Sequence, residues 1–205
     1  QHAEEPRLTR GAQMNEGVVA ARLGLTGWPA AAEEAVIARD VLLAGHVGSR
    51  LHVCHVSTAG SVEVIRWAKA RGVDVTAEVT PHHLILTEDL VASYDPIYKV
   101  NPPLRTADDI EALREALADG TIDAIATDHA PHSQEEKTRN DIWTVDCGFP
   151  GVETQMPLML TEAAAGRYSV SDYVRWSAFN PAKIWGLYPR KGAILPGSDA
   201  DIAVV

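Results

Sequence analysis

Three short runs rich in Val, Ile and Thr, RLHVCHVST (50–58), VDVTAEVT (73–80) and TIDAIATD (121–128), are separated by stretches of helical periodicity. Each is bounded by Gly or Pro and reads as a strand. Strands that alternate with helices pair in parallel, because a parallel pair needs a long crossover, so the pattern predicts an α/β fold. AEEAVIARDVLLAGH (32–46) sets Ile37, Val41 and Ala44 on one helical face, and SVEVIRWAKARG (61–72) does the same with Val64, Trp67 and Ala68 before Gly72. TADDIEALREALADG (106–120) opens with Thr106 and Asp109 at capping-box spacing, carries Ile110, Leu113 and Leu117, and stops at Gly120. In NPAKIWGL (180–187), Asn180 is a candidate N-cap with Pro181 in the first turn. The stretch from Pro81 to Arg105 reads mostly as loop, with YKVNPPLR held extended by its prolines.

The 205 residues are 46% apolar and 22% charged, which suits one globular core. A net charge of -10 without a Lys/Arg cluster argues against nucleic-acid and membrane-surface roles, since polyanion binding needs a basic face. Cys54 and Cys147 lack paired spacing, and no run of about 20 apolar residues occurs, so a cytoplasmic protein is the expectation. The opening QHAEEPRL has no initiator Met and reads as the edge of a fragment.

Chemistry gathers at the strand ends. His55 and Asp128 each close a strand, and in a parallel sheet both project from the same edge, where α/β enzymes keep their sites. Alternation along a strand puts His52 and Cys54 on the face opposite His55, so the three cannot share one ion. Imidazoles and a carboxylate suit a hydrolytic metal centre. A capping or turn role for Asp128 stays open, because no fixed-spacing metal motif is present. For His82 and His83, loop hydrogen bonding is favoured over a place behind a metal; His129 is read as structural or as a support behind the site. Cys54 is expected under a helix, Trp67, Trp176 and Trp185 in the core, and SQEEK (133–137) in a solvated loop.

QHAEE, LHVCHVSTAGSVEVI, VTAEVTPHHLILT, KVNPPLR, ATDHAPHSQEEK and GFPGVETQMPLML, in that order, resemble the dihydroorotases, cyclic-amide hydrolases of the amidohydrolase superfamily. GAILPGSDADIAVV is similar to the closing strand of their small β-sandwich domain. The resemblance implies a (β/α)8 barrel of the TIM type, present here as its C-terminal half over 1–190, with 191–205 as a β segment of the small composite domain. It implies two zinc ions per site. His2 and His55 would bind the second metal, and Asp128 would bind the first and shuttle the proton. Asn101 and His132 match residues that contact the substrate ring and its carboxylate, and the backbone at Cys147 and Gly148 would lie against the ring. The family's first-strand His-x-His and its bridging carboxylate have no counterpart in these residues, so the chain is expected to be inactive alone.

The implied reaction is the reversible interconversion of dihydroorotate and N-carbamoyl-L-aspartate in pyrimidine biosynthesis, by a homodimer that associates with aspartate transcarbamoylase. The alternatives are a hydantoinase or allantoinase activity on related rings, and a non-catalytic homologue acting as a structural partner.

Overall fold

The computed structural model describes residues 1–139 and 141–205. In chain order it comprises β1 (Met14–Asn15), α1 (Val18–Leu23), β2 (Gly27–Trp28), α2 (Ala30–Val47), β3 (Leu51–Val53), α3 (Ala59–Ala70), β4 (Val75–Val79), α4 (Pro81–Ile85), α5 (Ala107–Asp119), β5 (Ala124–Ile125), α6 (Gln134–Arg139), α7 (Gly151–Ala164), α8 (Val170–Val174) and α9 (Asn180–Ile184). The three sequence-predicted strands pair in parallel in the order β3-β4-β5, with Val53 opposite Ala77 and Val79 opposite Ile125. The first residue extends this sheet: the Cys54 amide donates to the Gln1 carbonyl at 3.0 Å. His2 is thereby carried to the end of β3.

One face of the sheet is apolar and covered. Val53, Ala77, Val79 and Ile125 pack against Ile37 and Val41 of α2, Ile65 and Ala68 of α3, and Leu113 and Ala116 of α5, all buried. Each large aliphatic chain so buried contributes about 1.5–3 kcal/mol. The other face carries His52, Cys54, Thr76 and Glu78, all partly exposed. α5 starts and stops as expected: Thr106 and Asp109 form its capping box, and Gly120 closes it in the left-handed region at φ 82°.

Several expectations are corrected. The α3 face that packs is Ser61, Val62, Ile65 and Ala68, one step round from the stripe through Trp67, which is 43% exposed beneath the Arg71 guanidinium. Trp185 is 64% exposed, so of the three tryptophans expected in the core Trp176 alone reaches it. Asn180 does not cap a helix: Ser169 does, through a capping box with Asp172, and the chain stays helical through a π turn at Arg175–Phe179 into α9. The Asn180 side chain instead donates to the Asp123 carbonyl at 2.7 Å, which removes it from capping. Residues 81–105 are less loop-like than their prolines suggest, holding α4 and 3₁₀ turns at Glu88–Ser93 and Pro96–Tyr98. SQEEK is largely helical in α6, with Lys137 buried. Apart from these corrections, residues 191–205 run as bends, turns and irregular chain. Among the described residues no helix is long and apolar enough to cross a membrane.

Candidate metal centre

β3 ends at Val53 and the chain turns at His55, which takes φ 37°; Asp128 takes φ 44° just past β5. Side chains other than Gly avoid this left-handed region, and two such residues on one sheet edge mark a site where surroundings override local preference. The Val56 amide, donating to the Glu78 carbonyl at 2.8 Å, fastens the first turn to β4.

His2 and His55 meet directly, with His2 Nδ1 2.9 Å from His55 Nε2 and the rings edge to face at 4.7 Å. The other nitrogen of His2 lies 3.0 Å from Glu4 Oε2 and donates to it, which turns Nδ1 toward His55. Burial lowers the His55 pKa, the neighbouring His2 lowers it further, and Asp128, Glu33 and a bond to its own backbone oppose. Burial thus favours the neutral form of the His55 ring, the form that binds a metal.

This donor set fits a divalent cation. Ring nitrogens bound to one tetrahedral zinc at 2.0–2.1 Å sit roughly 3.3 Å apart, a small opening from the 2.9 Å between His2 and His55, and a ligating His commonly gives its second N–H to a carboxylate, as His2 does to Glu4. Asp128 adds a carboxylate whose charge reaches His55.

Asn101 joins the group through Glu4, donating to Oε2 at 2.9 Å. Burial alone would raise the Glu4 carboxyl, but hydrogen bonds from Thr9, Asn101 and His2 outweigh it and hold the pKa low. His132, Cys147 and Gly148 form a neighbouring loop unit. His132 Nε2 donates to the Cys147 carbonyl at 3.0 Å, and the Gly148 amide donates to the Lys99 carbonyl at 3.1 Å. Lys137 Nζ donates to the carbonyls of Lys99 and Asp146, each at 3.0 Å, so the acidic-looking run contributes a buried clamp. Burial raises the Cys147 thiol, the two lysines oppose, and Glu4 is among the charges that act on it, which sets this loop beside the His2 cluster.

The two adjacent histidines of α4 divide. His83 takes the loop role, accepting from the Thr80 hydroxyl at 2.8 Å and donating to the Pro102 carbonyl at 3.0 Å. His82 is buried 5.0 Å from the Phe149 ring, its pKa pushed down to about 3 by burial and by His55, and its Nε2 has no partner among the described residues. His129 accepts from the Val152 amide at 3.2 Å and fixes the start of α7.

Cys54 is not under a helix: it shares the polar sheet face with His52 and Glu78, one ligand-type atom of each lying within 4.8 Å of the others. His52 is already hydrogen-bonded there, to Thr76 at 2.8 Å and Glu78 at 3.1 Å. Glu4 is the site residue that sequence reasoning passed over; its signal was the spacing of two from His2 in QHAEE.

The sequence profile of the amidohydrolase family matches residues 28–205, and the chain belongs to that family. Within it, the chain is similar to the dihydroorotase of Streptomyces coelicolor, 59% identical over 207 residues that cover 100% of this chain and 48% of that protein. It is 51% identical to the dihydroorotase of Mycobacterium tuberculosis, again over 100% of this chain and 48% of the relative. The chain thus spans about half the length of the curated relatives it matches. Among solved structures it is similar to an L-hydantoinase (dihydropyrimidinase) from Arthrobacter aurescens, with TM-score 0.86 and 35% identity over 97% of this chain and 46% of that one. A dihydropyrimidinase from Brevibacillus agri gives TM-score 0.84 and 28% identity over 97% of this chain and 45% of that one.

Proposed function

We propose that the complete protein is a metal-dependent cyclic amidohydrolase that interconverts dihydroorotate and N-carbamoyl-L-aspartate. The observation that carries the reading is the convergence of His2 and His55 at 2.9 Å, with the Asp128 charge acting on His55, in a chain 59% identical to a dihydroorotase. Divalent cations at this edge, two zinc ions by the family's pattern, would polarise the ring carbonyl and activate water. His2 and His55 would hold one of them, and Asp128 the other.

In hydrolysis water adds to the ring carbonyl carbon, the C–N bond breaks, and Asp128 carries the proton released by water to the departing nitrogen. Asn101 and His132 would hold the ring and its carboxylate, with the backbone at Cys147 and Gly148 against the ring face. Residues 1–190 would form half of a (β/α)8 barrel and 191–205 part of a small β domain. The partly exposed polar face of the sheet supports this reading, since it is the face a closed barrel would cover. A cytoplasmic homodimer associated with aspartate transcarbamoylase completes the proposal.

A second reading, hydantoinase activity, is favoured by the similarity to the A. aurescens enzyme at TM-score 0.86. Turnover assays on the zinc-loaded complete protein separate the two. Hydrolysis of dihydroorotate with hydantoin and allantoin left intact is expected, and the opposite preference would overturn the first reading.

A further inference from the structure

We propose that Arg105, acting with Glu33 through Ser57, is the positioning residue that holds His55 in its metal-binding conformation and couples that turn to the Asn101 loop; this rests on the metal-hydrolase reading above. Arg105 is 3% exposed and Glu33 4%. The guanidinium donates to Ser57 Oγ at 3.1 Å, to Asn15 Oδ1 at 2.7 Å and to the Trp28 carbonyl at 2.7 Å. Glu33 accepts from the Ser57 amide at 3.0 Å, from the Ser57 hydroxyl, and from Ser61 Oγ at 2.7 Å. Ser57 therefore gives its hydroxyl proton to the carboxylate and receives one from the guanidinium. It has no freedom left to rotate.

The network also closes on itself. Asn15 Nδ2 donates to Glu88 Oε2 at 2.8 Å, and the Glu88 amide donates back to the Arg105 carbonyl at 2.9 Å. Burial presses the Arg105 pKa down, while Glu33 first, then Asp109, Glu34 and Glu88, hold it up. Buried opposite charges joined through a hydroxyl in this way are a poor source of stability, since an apolar filling of equal volume serves as well or better. Their placement gives them a different use. Ser57 lies two residues beyond His55, whose φ of 37° is unfavourable and must be imposed from outside. The Val56 bond to β4 fixes one end of the turn and the Ser57 clamp fixes the next residue. Arg105 also stands four residues beyond Asn101, at the end of the loop whose Pro102 carbonyl is tied to His83. One guanidinium thus sets both a metal ligand and a substrate contact.

The test uses the complete protein, stripped of metal and titrated with Co²⁺ while its visible absorption and its far-UV circular dichroism are recorded. Arg105→Met, where circular dichroism shows it folded, is expected to bind Co²⁺ roughly 10- to 100-fold more weakly and to show an altered absorption band, as when the outer partners of a ligating His are removed. Arg105→Lys, which cannot reproduce the fork, is expected to restore little. Should Arg105→Met fail to fold, Ser57→Ala decides, with weakened Co²⁺ binding in a folded protein as the expected result. Folded variants that bind Co²⁺ as tightly as wild type, with its spectrum, would overturn the positioning role alone. Wild-type protein that takes up no metal would overturn the hydrolase reading and this proposal with it.

Discussion

At the scale of single residues, three buried histidines, His55, His82 and His83, have their pKa values lowered by burial. Of these, His82 is pushed down to about 3 in the fold against 6.5 for the ordinary side chain. The unfolded chain takes up a proton near pH 6.5 and the folded one resists until near 3, so stability falls as pH drops through this window. His55 and His83, also lowered by burial first, act in the same direction. Acid titration of the metal-free protein is expected to show unfolding beginning below pH ~6.5, and His82→Gln is expected to move the midpoint down. An unmoved midpoint would count against a neutral, buried His82. Asp128 is the residue on which turnover depends in the proposed chemistry: Asp128→Asn is expected to lower kcat by roughly 10²–10⁴-fold with the circular dichroism unchanged. Retained activity would remove it from the proton path.

At the scale of elements, the strands β3, β4 and β5 and the helices α2, α3 and α5 were legible because their apolar periodicity coincides with what they bury. Trp67 was misassigned because neighbouring stripes of a short helix differ by one residue, and the packed one holds Ser61 rather than an aromatic. The turns at His55 and Asp128 could be placed at strand ends, but their positive φ is imposed by tertiary bonds no local pattern encodes. The same holds for Glu33, Ser57 and Arg105, distant in sequence and joined only in the fold. Gly148 is a comparable element-level constraint. It adopts φ 142°, and a Cβ there would run into the Ala130 carbonyl. Gly148→Ala is expected to displace the Cys147 backbone, to raise KM several-fold and to lower the melting temperature through the strain it introduces. An unchanged KM would dissociate this loop from the substrate.

At the scale of the whole molecule, the sheet is clothed by helices on its apolar side and carries His52, Cys54, Thr76 and Glu78 on the other. Relatives about twice as long as this chain give that polar face a reason, if further strands close over it as proposed. The central claim is local to the edge of the sheet, and anomalous diffraction at the zinc edge from crystals of the zinc-loaded complete protein addresses it directly. A peak about 2.0–2.1 Å from both His2 Nδ1 and His55 Nε2, with a second against Asp128, is predicted. An empty edge, or zinc found only among His52, Cys54 and Glu78, would contradict the account.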